Sequence, residues 1–442
     1  MAHHINKTGC AKISAAQFFD DLHRPLDGLM AVKEADHCLY CYDAPCIQAC
    51  PTSIDIPTFI HQIRTGNMSG AARTILSENI MGGTCARACP TEVLCEQACV
   101  HHEGGNKTVE IGLLQRHAID HLMAAGGSHP FSRAADTGRH IAVVGAGPAG
   151  LSFAHRAAML GHKVSIYEAK SKPGGLNEYG LAAYKMVNDF AAREVEFLLG
   201  IGGIEIYYDK ALDSSLTLDN LQAQHDAVFI GIGLGGTNGL GLDGEDLGGV
   251  MDAIDFIEDI RQTGDLSAIR LGEDIIVIGG GNTAIDAAVQ AKKLGAQNVT
   301  LAYRRGEEQM GATAFEVDLA RQNGVMVRLW SKPMAVQGNA AVTSMTFEHT
   351  VLKGGKLTGT GETYDIACDL ALKAIGQKLE GDGLDGLTIN DGKLKVSETC
   401  ETSIKGVFAG GDCVRSGEDL TVQAVEDGKQ AAIAVDAWLK NN

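Results

Sequence analysis

Eight of the twelve cysteines fall in two tight runs, Cys38-x2-Cys41-x4-Cys46-x3-Cys50-Pro51 and Cys85-x3-Cys89-Pro90-x4-Cys95-x3-Cys99. Thiolates at such spacing are soft ligands suited to iron–sulfur clusters. A cysteine followed by proline closes the ferredoxin-type run, here with one gap lengthened. Zinc also accepts four thiolates, but paired zinc knuckles are spaced differently. Counting gives one cluster per run. In two-cluster ferredoxins, however, the last cysteine of a run ligates the other cluster, which would exchange Cys50 and Cys99. Cys368, Cys400 and Cys413 lie apart and read as ordinary core thiols.

Two glycine turns carry a second chemistry. His140-Ile-Ala-Val-Val runs into Gly145-Ala146-Gly147-Pro148-Ala149-Gly150 and an apolar helix over 151–160. Gly145 permits the tight turn, Gly147 lets backbone approach a pyrophosphate, and Gly150 lets the helix pack on the strand. The helix N-terminus offers free amides to phosphate. The next strand, Val164-Ser-Ile-Tyr, ends at Glu168, placed for ribose hydroxyls. The proline in the turn, Gly174-Gly175-Leu176 and Val407-Phe-Ala-Gly-Gly-Asp412 resemble the FAD half of two-dinucleotide flavoproteins. That resemblance gives Asp412 the ribityl or phosphate region, and Thr421 a helix N-terminus facing the flavin.

The pattern restarts at Asp274-Ile-Ile-Val-Ile, with Gly279-Gly280-Gly281-Asn282-Thr283-Ala284 and a helix. The following strand ends in Arg304-Arg305 rather than an acid. Guanidinium pairs bidentately with phosphate, so this end favours the extra phosphate of NADP, although Glu307 and Glu308 nearby oppose it. Together the turns predict hydride transfer from a nicotinamide to a flavin. That chemistry belongs to the cofactors, and no nucleophile or triad is needed.

The elements that must position these groups follow from the whole chain. At 442 residues it is long enough for two or three domains, with 45% hydrophobic residues to fill their cores. The expected fold class is α/β: two Rossmann-like dinucleotide-binding domains, preceded by an α-helical domain with two iron–sulfur clusters. The expected boundaries are 1–137 for the helical domain, 138–242 and 366–442 for a split FAD domain, and 243–365 for an inserted NAD(P) domain. A net charge of −18 argues against nucleic acid or an anionic membrane as partner. No apolar run is long enough to span a bilayer, and the N-terminus shows no signal-peptide pattern, so a cytoplasmic location is expected. There the clustered thiols stay reduced, as metal ligands rather than disulfides.

Both cysteine runs, both glycine turns, the terminal Ala-Gly-Gly-Asp and Ile111-Gly-Leu-Leu-Gln115-Arg resemble the N-terminal half of dihydropyrimidine dehydrogenase, a separate subunit in bacteria. The glutamate synthase small subunit is a relative of the same layout, with a glutamate where Gln115 stands. The resemblance implies one [4Fe-4S] cluster on Cys38, Cys41, Cys46 and Cys99 and a second on Cys50, Cys89, Cys95 and Gln115, with Cys85 free. It implies FAD contacts at Gly145, Ala146, Gly147, Pro148, Ala149, Glu168, Leu176, Lys185, Asp412 and Thr421. It implies nicotinamide contacts at Gly280, Gly281, Asn282, Thr283, Arg304, Arg305, Ala374, Ile375 and Gly376. Two positions depart from the family: Lys185 replaces an arginine, and Gly311 replaces an arginine of the NADPH-using enzymes, which keeps NADH open. In the family, uracil or thymine is reduced at an FMN site in a barrel of about 250 residues, for which no chain remains. The implied role is the electron-input subunit, passing electrons from NAD(P)H through FAD and two clusters to an FMN-containing partner. The alternatives are the input subunit of a glutamate synthase or ferredoxin-linked transhydrogenase assembly, or a non-catalytic redox sensor.

Overall fold

The structure, a computed structural model, describes residues 12–442. They fall into two compact units. One comprises Asp21–Glu178, Asn188–Gly235 and Leu379–Asn442; the other contains Tyr179–Val187 and Gly236–Lys378, with the chain up to Asp20. The longer excursion thus runs over 236–378, beside the 243–365 expected. The chain makes a second, short excursion over 179–187.

In the first unit, helices Ile56–Arg64 and Met68–Glu78 each begin at a capping side chain: Asp55 accepts from Thr58 N and Asn67 from Gly70 N. Ile56, Phe59, Ile60 and Ile63 recur at helical spacing and are all buried. Two further helices carry or flank cluster candidates, α1 (Gly82–Ala88) and α2 (Ile111–Ala125).

The sheet of this unit holds β1 (His140–Val144), β2 (Lys163–Tyr167), β3 (Ile204–Tyr207), β4 (Ala227–Ile230) and a late strand, Val407–Ala409. They pair in parallel in the order Val407–Ala409, β4, β1, β2, β3. Parallel strands are covered on both faces, and accordingly every residue of β4 is buried. The order reverses beside β1, and the glycine turn follows β1 directly. Such switch points at strand C-termini are where open α/β sheets bind nucleotides.

Helix α3 (Pro148–Met159) leaves that turn, and a long helix, Thr421–Asn441, crosses it. A Cβ on Gly428 would sit 2.1 Å from Ala149 O, and Ser152 Oγ donates to Val425 O at 2.7 Å. Glycine is therefore required where the two helices touch.

The second unit holds β5 (Val250–Asp252), β6 (Asp274–Gly279), β7 (Asn298–Ala302), β8 (Met326–Arg328) and Leu370–Ala374, parallel in the order β5, Leu370–Ala374, β6, β7, β8. An antiparallel three-stranded sheet over 331–367 lies between β8 and the returning strand. No described helix is long and apolar enough to cross a membrane.

Replacing Gly428 with alanine is expected to destabilise the first unit by about 1–3 kcal/mol, the cost of overpacking a filled contact. Urea denaturation measures it; an unchanged midpoint would mean that the helices part without cost.

Candidate functional site

The eight clustered cysteines are brought together in two groups, and the grouping is crossed. Cys38, Cys41, Cys46 and Cys99 line one cavity, with Ile56, Ile60 and Val109. Burial raises the Cys38 thiol, and Cys41 and Cys99 add to the rise. Burial likewise pushes Cys46 up to about 12, with Cys38 and Cys99 contributing. In the second group, Cys89 is raised by a hydrogen bond with Cys85, by burial, and by Cys85, Cys95 and Cys50. Burial raises Cys95, with Glu96 and Cys50 adding to it. So Cys99 returns to the first group and Cys50 reaches forward to the second.

Thiols this crowded cannot all ionise unaided, since burial and mutual repulsion both oppose the charge. A bound cationic centre reverses that balance and deprotonates its thiols outright. The donor set therefore fits an iron–sulfur centre. Thiolates on a single zinc would all lie about 2.3 Å from one point. Among the described residues no group of three or more His, Cys, Asp or Glu side chains could hold a single metal ion. None of the described cysteines forms a disulfide.

Gln115 is buried on α2, and its amide nitrogen donates to Gly82 O, at the start of α1, at 2.7 Å. That bond uses one of the two N–H donors of the amide, and Oε1 takes no hydrogen bond from any described residue.

Helix α1 is itself clasped by a residue that sequence reasoning missed. Glu194, on helix Phe190–Leu199, accepts from Gly83 N at 2.8 Å, Thr84 N at 3.0 Å and the Thr84 hydroxyl. Arg87 closes the same end by donating to Gly83 O at 3.0 Å, while its guanidinium lies 3.5 Å over the Phe190 ring. No motif marks Glu194; it is a carboxylate on an ordinary amphipathic helix, and only the fold brings it to α1.

The first glycine turn is built as its spacing predicts. Gly145 has φ +96°, and a Cβ there would meet Gly231 O at 2.6 Å. Gly147 is the open position, with no atom nearer than 3.9 Å to its Cβ site, so a phosphate can approach its backbone. Glu168 accepts from Ala146 N at 2.7 Å and Lys170 N at 2.8 Å, so it ties the turn while keeping lone pairs for hydroxyls. Leu176 follows Gly175, whose Cβ site lies 2.8 Å from Gly147 Cα. Asp412 has no hydrogen bond or ion pair with any described residue. Its carboxyl is raised to about 6 by burial and by Asp419 and Asp427. A half-buried acceptor of this kind suits the hydroxyls of a flavin's ribityl chain.

A second residue that sequence reasoning missed, Asp427, holds the turn before Asp412. It accepts from Gly411 N at 2.9 Å, from Gln423 Nε2 at 2.8 Å and from the Ser416 hydroxyl. Thr421 opens the long helix and donates to Asn177 Oδ1 at 2.8 Å.

Lys185, expected at FAD, falls in the other unit, its ammonium buried at 2.8 Å from Asp286 and 2.6 Å from Glu316, beside the Tyr184 hydroxyl, which donates to Asp286 at 2.7 Å.

In the second unit, a Cβ on Gly280 would lie 2.5 Å from the Tyr303 ring, whereas Gly281 has nothing within 4 Å. Asn282 Oδ1 is a buried oxygen without a partner at the start of helix Asn282–Leu294, with Thr283 exposed beside it. Ala374 ends the strand paired to β6, where its carbonyl is 2.2 Å from the Cβ site of Gly279. Ile375 and Gly376 follow, held by Asn238, whose backbone N–H donates to Gly376 O at 3.0 Å. The open turn and the orphaned oxygen fit a dinucleotide.

Arg304 and Arg305 follow β7, pinned through their backbone: the Thr350 hydroxyl donates to Arg304 O at 2.7 Å and Trp330 N to Arg305 O at 3.1 Å. Neither guanidinium has a carboxylate partner among the described residues. Glu307, which seemed to oppose a phosphate here, is taken up by Arg321, with one contact at 3.0 Å. Gly311 lies against the turn, its Cβ site 4.0 Å from Gly280 O and from Gly281 Cα.

Two outcomes follow from these environments. Exchanging Arg304 and Arg305 for glutamine should raise KM for NADPH about tenfold or more, the scale of one lost charged hydrogen bond, and leave KM for NADH little changed. Equal effects on both would dismiss the phosphate role. Glu194 has its carboxyl raised from 4.5 to about 7, chiefly by burial, against the lowering effect of Thr84, Gly83 and Arg87. Between those values the folded state holds a proton that the unfolded chain has released, so stability falls as pH rises through this window. Relative to Glu194→Gln, which cannot titrate, the parent should lose ground between pH 5 and pH 8 in urea midpoints. A pH-independent difference would mean that the carboxyl keeps its ordinary range.

The chain matches known proteins along nearly all its length. Residues 139–428 match the family model described as pyridine nucleotide-disulphide oxidoreductase, and residues 15–127 match that of dihydropyrimidine dehydrogenase domain II, 4Fe-4S cluster. It is 35% identical to the NAD-dependent dihydropyrimidine dehydrogenase subunit PreT of Escherichia coli, over 96% of this chain and 98% of that one. It is 30% identical to the glutamate synthase [NADPH] small chain of the same organism, over 96% and 94%. Among solved structures, FprA of Mycobacterium tuberculosis in complex with NADPH covers 69% of this chain and 85% of its own, with TM-score 0.57 and 19% identity. Thioredoxin reductase of Lactococcus lactis covers 69% and 100%, with TM-score 0.54 and 22% identity. These two show the fold. FAD, a nicotinamide dinucleotide and 4Fe-4S clusters are the cofactors that the two family models imply. The chain belongs to the pyridine nucleotide-disulphide oxidoreductases, as an NAD(P)H-dependent flavin and iron–sulfur electron-input subunit of the PreT type.

Proposed function

We propose that this chain oxidises NAD(P)H on behalf of a separate FMN-containing partner that reduces uracil or thymine to dihydropyrimidines. The observation that carries the choice of partner is Gln115. Its amide nitrogen donates to Gly82 O, at the start of the helix that carries Cys85, and Oε1 takes no hydrogen bond from any described residue, so a neutral oxygen is left for the second cysteine group where the glutamate synthase relatives have a glutamate. An amide leaves the bound cluster one negative charge lighter than a carboxylate or thiolate would, and so alters its potential.

The residues divide the work. Cys38, Cys41, Cys46 and Cys99 hold one cluster, and Cys50, Cys89, Cys95 and Gln115 the other. The turn over 145–150, with Glu168, Leu176, Asp412 and Thr421, binds and orients FAD. Gly280, Gly281, Asn282, Thr283, Arg304, Arg305 and residues 374–376 bind the nicotinamide dinucleotide. When bound, FAD and the clusters supply the conversion of a hydride into single electrons. The protein's part is to hold the groups, keep water off the buried thiols, and keep thiols reduced in a cytoplasmic setting.

Purification of the chain under argon with whatever binds it is the test. An FMN-containing partner and NAD(P)H-dependent loss of uracil are expected. A large amidotransferase partner without uracil reduction would move the chain to the glutamate synthase type, and no flavin bleaching with either nucleotide would make it a sensor. Gln115→Ala should change the spectrum and iron content of one cluster only; if neither changes, Gln115 is not a ligand.

A further inference from the structure

We infer that Thr52 is a positioning residue that tunes the reduction potential of the second cluster through Cys50. The inference rests on the reading of Cys50 as a ligand of that cluster. Thr52 is completely buried, and its Oγ1 lies 3.3 Å from Cys50 Sγ. As a free thiol Cys50 could donate this hydrogen bond. As an iron-bound thiolate it has no proton, so the hydroxyl must donate.

The local backbone leaves little alternative. Cys50-Pro51-Thr52-Ser53 is a tight turn closed by Ser53 N donating to Cys50 O at 2.8 Å, with Ser53 at φ +56°. Pro51 has no N–H to offer the sulfur. The turn is fixed from outside by Lys429, itself buried, whose ammonium donates to Thr52 O at 3.3 Å and pairs with Glu78 at 2.9 Å and Glu426 at 2.7 Å. Cys38, Cys46 and Cys95 take backbone N–H groups instead. Cys50 is thus a ligand whose donor a side-chain substitution can remove.

A hydrogen bond to a ligating sulfur favours the more negative, reduced cluster and so raises its potential. Lys429 lies eight residues along the helix that opens at Thr421, so the turn is carried by the same rod that faces the flavin pocket.

The test is a redox titration of the intact, cluster-loaded chain followed by electron paramagnetic resonance. Thr52→Val keeps the shape and removes the hydroxyl; the midpoint of one cluster should move to a more negative potential while the other stays unchanged. Thr52→Ser should return it toward the parent value. An unchanged midpoint in Thr52→Val, an equal shift in Thr52→Ser, or loss of the cluster in both would each overturn the inference. Cys50→Ala separates this from the underlying reading. If it abolishes the second cluster's signal while Thr52→Val shifts nothing, only the tuning role falls. If it leaves both signals intact, the ligand assignment falls and the tuning role with it.

Discussion

Buried sulfur is the constraint around which the first unit is organised. The clustered thiols lie in two groups; burial and neighbouring thiols raise Cys38, Cys46, Cys89 and Cys95, so these ionise together only around a cationic centre. Everything that touches these groups can be read as a response. Gln115, the neutral fourth donor proposed for the second group, is anchored on Gly82 O, where another thiolate would add charge. Glu194 and Arg87 clasp the same end of α1, at Gly83 and Thr84, the helix that carries Cys85 and ends at Cys89. Lys429 brings a cation to the turn after Cys50.

The same unit contains the flavin-type turn, and the long helix Thr421–Asn441 joins the two regions. Its first residue bonds to Asn177 beside the Gly174-Gly175 turn, and Lys429 reaches the Cys50 turn, a separation of about 12 Å along the helix axis. Gly428 lets this helix lie against Ala149, so the rod is seated directly on the glycine turn it serves. The helical segment and the first sheet fall in the same compact unit. The nucleotide unit carries its own turn, its own sheet and a buried network of Tyr184, Lys185, Asp286 and Glu316.

Much of this is legible in the sequence because local rules suffice for it. The glycines at 145 and 150 declare a turn whose steric demands are met by no other residue, and the apolar strand before them is buried. The cysteine runs declare a metal centre by type and spacing. The crossed grouping is different: spacing leaves two arrangements open, and only the chain path through α1 and α2 brings Cys99 to Cys38. The ion pairs of Lys185 are not legible, because 179–187 sits between segments of the first unit in sequence and falls in the other unit in space. Glu194, Asp427 and Thr52 carry no pattern at all. Each acts through a contact between distant segments, or through a turn that three identities alone do not specify.

The central claim is that one chain holds a flavin and two separate clusters that a nicotinamide nucleotide can reduce. Anaerobic titration of the reconstituted chain with NADH or NADPH, alongside iron and sulfide analysis, tests it most directly. The account predicts about eight iron atoms per chain in two distinct paramagnetic signals, together with loss of the flavin's visible absorbance on adding nucleotide. About one iron per four cysteines with no labile sulfide, or an oxidised flavin that survives both nucleotides, would contradict it.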